Sequence, residues 1–272
     1  MTTAKELLKT DFVKFDVTDS VSKFMGRMKS TGETYAILFK GKEYAGYADK
    51  KMLVKTRTDT DSMRLSNLLK GVRTLKSNDD EKTMAKAFID SDTRTLPVFE
   101  GKDLVGVVNA KDLAFEIKDR FGNLKVESLA TIRNLVVLEE NDTVGKAIHE
   151  MHNGKIDRAP VVDQNRNFVG ILTLVDLQIQ QSSIDRSKQK TGKGSSQGKD
   201  KKGATEKASL GDMQIKNIMT SMNCCTANLN DKASDVIENM HECEVTSCVL
   251  LEDKKPSGII TVHDVLLGFL KI

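Results

Sequence analysis

Tryptophan is absent from this 272-residue chain, and aromatic residues make up only 5% of it. A core without large rings must rest on Val, Ile, Leu, Met and Ala. No apolar run approaches the roughly 20 residues that span a bilayer. The opening stretch MTTAKELLKTDF has no apolar core of signal-peptide length, so a cytoplasmic location is expected. Cysteine occurs four times, at Cys224, Cys225, Cys243 and Cys248, all in the last fifth of the chain with His241 nearby. No C-x-x-C knuckle is among them, so reduced thiols are expected and no metal site. No Cys/His pair or Ser/His/Asp order stands out either. The stretch GKGSSQGKD misses the spacing of a phosphate loop, and no apolar strand precedes it. These absences argue against an enzyme.

What is present is ordinary globular composition, 39% hydrophobic and 30% charged. The length suits about two average domains. The net charge of +3 is unevenly placed. Residues 183–208 hold eight basic residues and three acidic ones, a local +5, so the rest of the chain is slightly acidic. That segment has no large apolar residue after Ile184 and cannot bury enough surface to offset its ordering entropy. A basic flexible linker is expected over 183–210. It also opens a second functional reading, a nucleic-acid arm using 186–207, although it has no aromatic to stack a base.

The remainder repeats itself. GILTLVDL at 170–177 returns as GIITVHDV at 258–265, and GVVNAKDL (106–113) and GYADKKML (46–53) fit the same template more loosely. A short apolar run precedes each glycine: AILF at 36–39, LPVF at 96–99, APVV at 159–162 and CVLL at 248–251. Two of the three prolines, Pro97 and Pro160, hold the same place in successive copies. Run, polar turn and glycine segment read as a β-hairpin. Asp19, Asp80, Asp142 and Asp231 are the expected N-caps of a helix upstream. Helical apolar stripes follow three of them: Val21, Phe24, Met25, Met28; Val144, Ala147, Ile148, Met151; Ala233, Val236, Ile237, Met240. In copy two the stripe is Met84, Ala87 and Phe88. A second helix is expected after each glycine motif. The unit is therefore β-α-β-β-α, about 60 residues long, in an α/β (α+β) fold class. One unit cannot cover its own sheet, so pairs are expected, in two pseudo-twofold modules of residues 1–120 and 121–272.

The capped helix, the apolar-Pro-Val run and the G-h-h-T-x-x-D-h ending (h, hydrophobic) resemble the cystathionine β-synthase domain, the CBS repeat. The resemblance places repeats at 1–60, 61–120, 121–182 and 211–272, around the linker, with each pair forming a Bateman module. It implies a non-catalytic regulatory protein that binds an adenosine-containing ligand (AMP, ADP, ATP, S-adenosylmethionine or a cyclic dinucleotide) in the cleft between repeats three and four. It further implies a homodimer and an effector protein as partner, with no membrane role and no cofactor beyond the adenosyl effector. In the family the Asp takes the ribose and the Thr takes the phosphate, which carries over to Thr173 with Asp176 and Thr261 with Asp264. The chemistry is sound, because a helix N-terminus attracts phosphate and a carboxylate offers two acceptors to a ribose diol. A Thr-x-x-Asp at a helix start is equally a capping box. In copy two the pair is Asn109 and Asp112. In copy one it is Asp49 and Met52, which suit neither partner, so a purely structural site is expected there. Arg158, two residues before Pro160, and His263, next to Asp264, are the further candidates for the ligand site.

Overall fold

The computed structural model describes residues 1–55, 63–177, 180, 210–222 and 224–272. The expected basic linker lies almost wholly outside the described residues. Among the described residues, four three-stranded sheets share one topology. They are β1 (Lys14–Asp16), β2 (Tyr35–Lys40) and β3 (Glu43–Asp49); β4 (Leu75–Lys76), β5 (Thr95–Glu100) and β6 (Asp103–Asn109); β7 (Leu138–Glu139), β8 (Arg158–Val162) and β9 (Phe168–Thr173); β10 (Thr226–Asn228), β11 (Ser247–Glu252) and β12 (Lys255–Thr261). In each sheet the first strand and the helix after it lead to a central strand carrying the apolar run. The first and central strands pair in parallel, as a crossover through a helix requires.

The upstream helices are Val21–Thr31, Glu81–Ser91, Val144–Asn153 and Ala233–Glu242. Their stripes are buried as expected except Ile148, which is 41% exposed. The expected Asp caps need correction. Asp80 is an N-cap and accepts from Thr83 N at 2.8 Å. In the other copies the cap is Ser20, Thr143 or Lys232, one residue later. Asp19, Asp142 and Asp231 instead accept the backbone N–H three residues earlier, from Asp16, Glu139 and Asn228. In copy two Asp79 does the same for Lys76. These aspartates fasten the strand-to-helix turn, a role open to a short acceptor side chain placed before a helix. The glycine motif is followed by a helix at Ala110–Glu116 and Val262–Phe269 and by a helical start at 174–177. In copy one it is followed by a 3-10 helix, Lys50–Lys55, instead of the expected α-helix.

A segment ahead of each first strand crosses to another sheet. Residues 3–9 precede copy one but bridge to Asp80 and Val107 of copy two. Residues 64–70 precede copy two and bridge back to Ser20 and Tyr47 of copy one. In the second half, 125–131 bridges to Lys232 and Ile259 of copy four, and 214–220 to Thr143 and Ile171 of copy three. This exchange explains the repeating glycine. A β-carbon on Gly106 would stand 2.6 Å from the Lys9 carbonyl oxygen, and one on Gly170 2.6 Å from that of Thr220. At Gly46 the figure is 2.8 Å, to Lys70, and at Gly258 it is 3.3 Å, to Thr131.

The chain packs as two compact bodies. The first comprises the described residues of 1–133, 225–251 and 257–272. Within it, Tyr35, Ile37, Tyr47 and Val107 join the sheets of copies one and two in one buried cluster. A larger core unites the helices of copies two and four through Met84, Phe88, Leu113, Val236, Met240 and Leu266. Each such side chain contributes about 1.5–3 kcal/mol on burial. The second body, the described residues of 134–224 and 252–256, has its own core on Leu138, Val144, Ala147, Met151, Val161 and Leu172.

Candidate functional site

In copy three, Thr173 ends β9 and helical structure starts at Leu174. The Thr173 N–H and hydroxyl both donate to Asp176 Oδ2 at 2.8 Å, and Asp176 N–H returns a bond to Thr173 Oγ1 at 3.3 Å. This is a reciprocal capping box. Copy four repeats it. Thr261 N–H and hydroxyl donate to Asp264 Oδ2 at 2.8 and 2.7 Å, and Asp264 N–H donates to Thr261 Oγ1 at 3.3 Å. One oxygen of each carboxylate is thus held in the cap, and Oδ1 lies outside it. In copy three the Thr220 hydroxyl comes within 3.5 Å of Asp176 Oδ1.

Arg158 opens β8 directly opposite Thr173 in the antiparallel register. Its side chain is 10% exposed, and Nε donates to Asp157 Oδ1 at 2.9 Å. Burial pushes the Asp176 carboxyl above its ordinary value, opposed by hydrogen bonds from Thr173 and Thr220 and by the positive charge of Arg158. Arg158, Thr173, Asp176 and Thr220 are therefore one cluster: a caged carboxylate, two hydroxyls and a guanidinium. Of these, Thr220 was invisible to motif reading. Its signal was the weak periodic segment ELLK, NLLK, SLAT, NIMT at 6–9, 67–70, 128–131 and 217–220.

His263 occupies an exposed position in the first turn of its helix, unlike the half-buried Thr261 and Asp264 beside it. Asn109 and Asp112 do not reproduce the box. Asn109 caps its helix without a side-chain bond, and its Oδ1 accepts the Thr95 hydroxyl at 2.8 Å. Asp112 pairs with Lys9 at 2.7 Å. In copy one, buried Asp49 accepts the Tyr47 hydroxyl at 2.9 Å, and burial together with the Asp49 charge pushes that phenol up. None of the four cysteines is in a disulfide, and Cys225 and Cys248 are buried. The Cys225 thiol's hydrogen bond and burial both push Cys248 up. Among the described residues no group of three or more His, Cys, Asp and Glu is placed to hold a metal ion. None of their helices is long and apolar enough to cross a membrane.

Repeated β-α-β-β units, three of them followed by a helical turn that carries a carboxylate, define a tandem-repeat α/β protein. The family model described as "CBS domain" matches residues 68–119, 126–179 and 215–271. The chain belongs to the CBS domain family. The sheet of residues 14–49 lies outside those segments and has the same strand order. Over 270 residues the chain is 26% identical to "Uncharacterized protein MJ1404" of Methanocaldococcus jannaschii, covering 96% of this chain and 60% of that protein. It thus spans about three fifths of the length of that relative. The solved structure of protein MJ1225 from the same organism, named as a candidate archaeal homolog of g-AMPK, matches with a TM-score of 0.79 at 17% identity, covering 98% of this chain and 100% of the other. A conserved protein of Pyrococcus horikoshii matches with a TM-score of 0.64 at 18% identity, covering 98% and 99%. These two likenesses establish the fold.

Proposed function

We propose that the chain is a non-catalytic sensor built of four CBS repeats in two Bateman modules, 1–120 and 121–272. An adenosine-containing ligand sits between repeats three and four, and the bound state is read by a separate effector protein. The reading includes a cytoplasmic homodimer. The observation that carries it is the pair of matching capping boxes. Thr173–Asp176 and Thr261–Asp264 each keep one carboxylate oxygen outside the cap, available to a ribose hydroxyl, at a helix start that favours phosphate. Arg158 adds a cation to the first of them. Ligand binding would act by population shift, stabilising one arrangement of the pair that the partner recognises.

The test is a thermal-shift panel of AMP, ADP, ATP, S-adenosylmethionine and a cyclic dinucleotide on wild type, Asp176→Ala and Asp264→Ala. Each variant is referred to its own ligand-free midpoint, because loss of the cap alone lowers that midpoint. At 100 times Kd a ligand adds about 2.7 kcal/mol, which raises the midpoint by about 5–10 °C for a module of this size. One of these ligands should shift wild type and lose most of its effect in both variants. Silence across the panel, or undiminished shifts in the variants, rejects the reading.

A further inference from the structure

Asp112 holds the same place in the second copy as Asp176 and Asp264 hold in the third and fourth, in the first turn of the helix after the glycine strand. Its partners are different. Oδ2 is buried beside the Lys9 ammonium at 2.7 Å, in charge contact rather than in a straight hydrogen bond, and Oδ1 is 3.7 Å from His241 Nε2. Lys9 is held there by its backbone. Its N–H donates to the Val107 carbonyl at 2.8 Å, and the Val107 N–H donates back at 2.9 Å. Its carbonyl packs against the bare Cα of Gly106. At the same point of the exchanged segments the later copies carry neutral residues, Thr220 opposite Ile171 and Thr131 opposite Ile259. Thr220 approaches its carboxylate with a hydroxyl at 3.5 Å, where Lys9 brings a full charge. Space is present in front of Asp112. It borders an open cavity of about 300 Å³, whose lining includes Lys9, Glu6, Glu116, Phe115 and His241, with the last two rings stacked at 4.1 Å.

We infer that Lys9 is the residue that closes the second repeat to ligand. The N-terminal segment delivers an intramolecular cation to the carboxylate that would otherwise accept a ribose diol. The contest is unequal. An ammonium tethered to a residue whose backbone is held by two hydrogen bonds competes at high effective concentration and makes a charge-assisted contact. The diol is neutral and must be drawn from solution. The later repeats have threonine at this point in place of a cation, so the exchanged segment and not the Asp itself selects the repeat that senses.

This inference rests on the adenosyl-sensor reading, and titration calorimetry of the full chain with AMP separates the two. In the Asp176→Ala/Asp264→Ala background AMP should give no saturable heat. Adding Lys9→Thr should create one site with affinity at least tenfold above that background, and Asp112→Ala on top should remove it. Lys9→Gln, which keeps the side-chain length without the charge, should also open the site and guards against a folding defect of the threonine variant. If wild type binds AMP through Asp176 or Asp264 but neither Lys9 variant gains a site, the inference is overturned and the sensor reading stands. If wild type is silent and the Lys9 variants bind, the sensor reading falls and the inference stands. If every variant is silent, both fall.

Discussion

The carbonyl oxygen of Thr220 stands 2.6 Å from the point a β-carbon on Gly170 would occupy, and the two segments pair there through Ile171 in both directions at 2.9 Å. A segment that precedes copy four in sequence is thus seated on the edge of copy three. Real β-carbons are not found at such a distance, and the neighbour is backbone, which cannot swing aside. Gly170→Ala and Gly106→Ala should each cost about 1–3 kcal/mol through overpacking. Gly258→Ala, with 3.3 Å of clearance, should cost less. Urea midpoints of the three variants provide the check; equal losses would show that the close approach is not what requires glycine.

The capping box in copy four predicts a hydroxyl-specific effect. Thr261→Val keeps the branched shape and removes the group that accepts from Asp264 N–H and donates to its carboxylate. A loss of about 1 kcal/mol is expected, with Thr261→Ser close to wild type. If serine falls as far as valine, the packing of the threonine methyl is responsible and the hydroxyl is idle.

Two aspartates should respond to pH with opposite signs. The hydrogen bonds from Thr83, side chain first and then backbone, hold the Asp80 carboxyl below its ordinary value of 3.8. Its contribution is present above that value and is lost as pH falls through the depressed one. Asp176 is pushed up by burial, so its contribution is complete below 3.8 and is lost as pH rises through the raised folded value. Between pH 3 and 7 at fixed ionic strength, the advantage of wild type over Asp80→Ala should grow with pH. The stability of wild type relative to Asp176→Asn should decline over the same range. Denaturant midpoints read at several pH values decide it, and slopes of one sign for both would contradict the assignment.

Positions in the helical stripes of copies three and four separate into core and surface. Met240 is 2% exposed within the core that joins the helices of copies two and four, and Ile148 is 41% exposed. Met240→Ala should cost about 2–5 kcal/mol, while Ile148→Ala should stay within about 0.5 kcal/mol. A large effect at Ile148 would mean that the protein in solution covers this face.

Much of this was legible in residue order. Strand and helix periods depend on local backbone geometry, so the apolar runs and the i, i+3, i+4 stripes placed every hairpin and upstream helix. The misplaced caps show the limit of local reading. Asp19, Asp142 and Asp231 are acceptors at a helix start, and only the φ/ψ values of the following residue reveal that they bond backward instead of forward. The Thr-x-x-Asp box was visible as a motif whose cap and ligand roles share the same atoms, and the geometry adds that one oxygen of each carboxylate is already engaged.

The order of residues alone established a chain of like units with a sheet and two helical positions, and a carboxylate after the glycine strand in three of them, because hydrophobic period and turn chemistry act over a few residues. It could not say which unit each connecting segment would serve, or that Lys9 would meet Asp112 across more than a hundred positions. Those pairings arise when strand edges with unmet hydrogen bonds find partners distant in the chain, and the steric demand they place on glycine exists only once the two backbones touch.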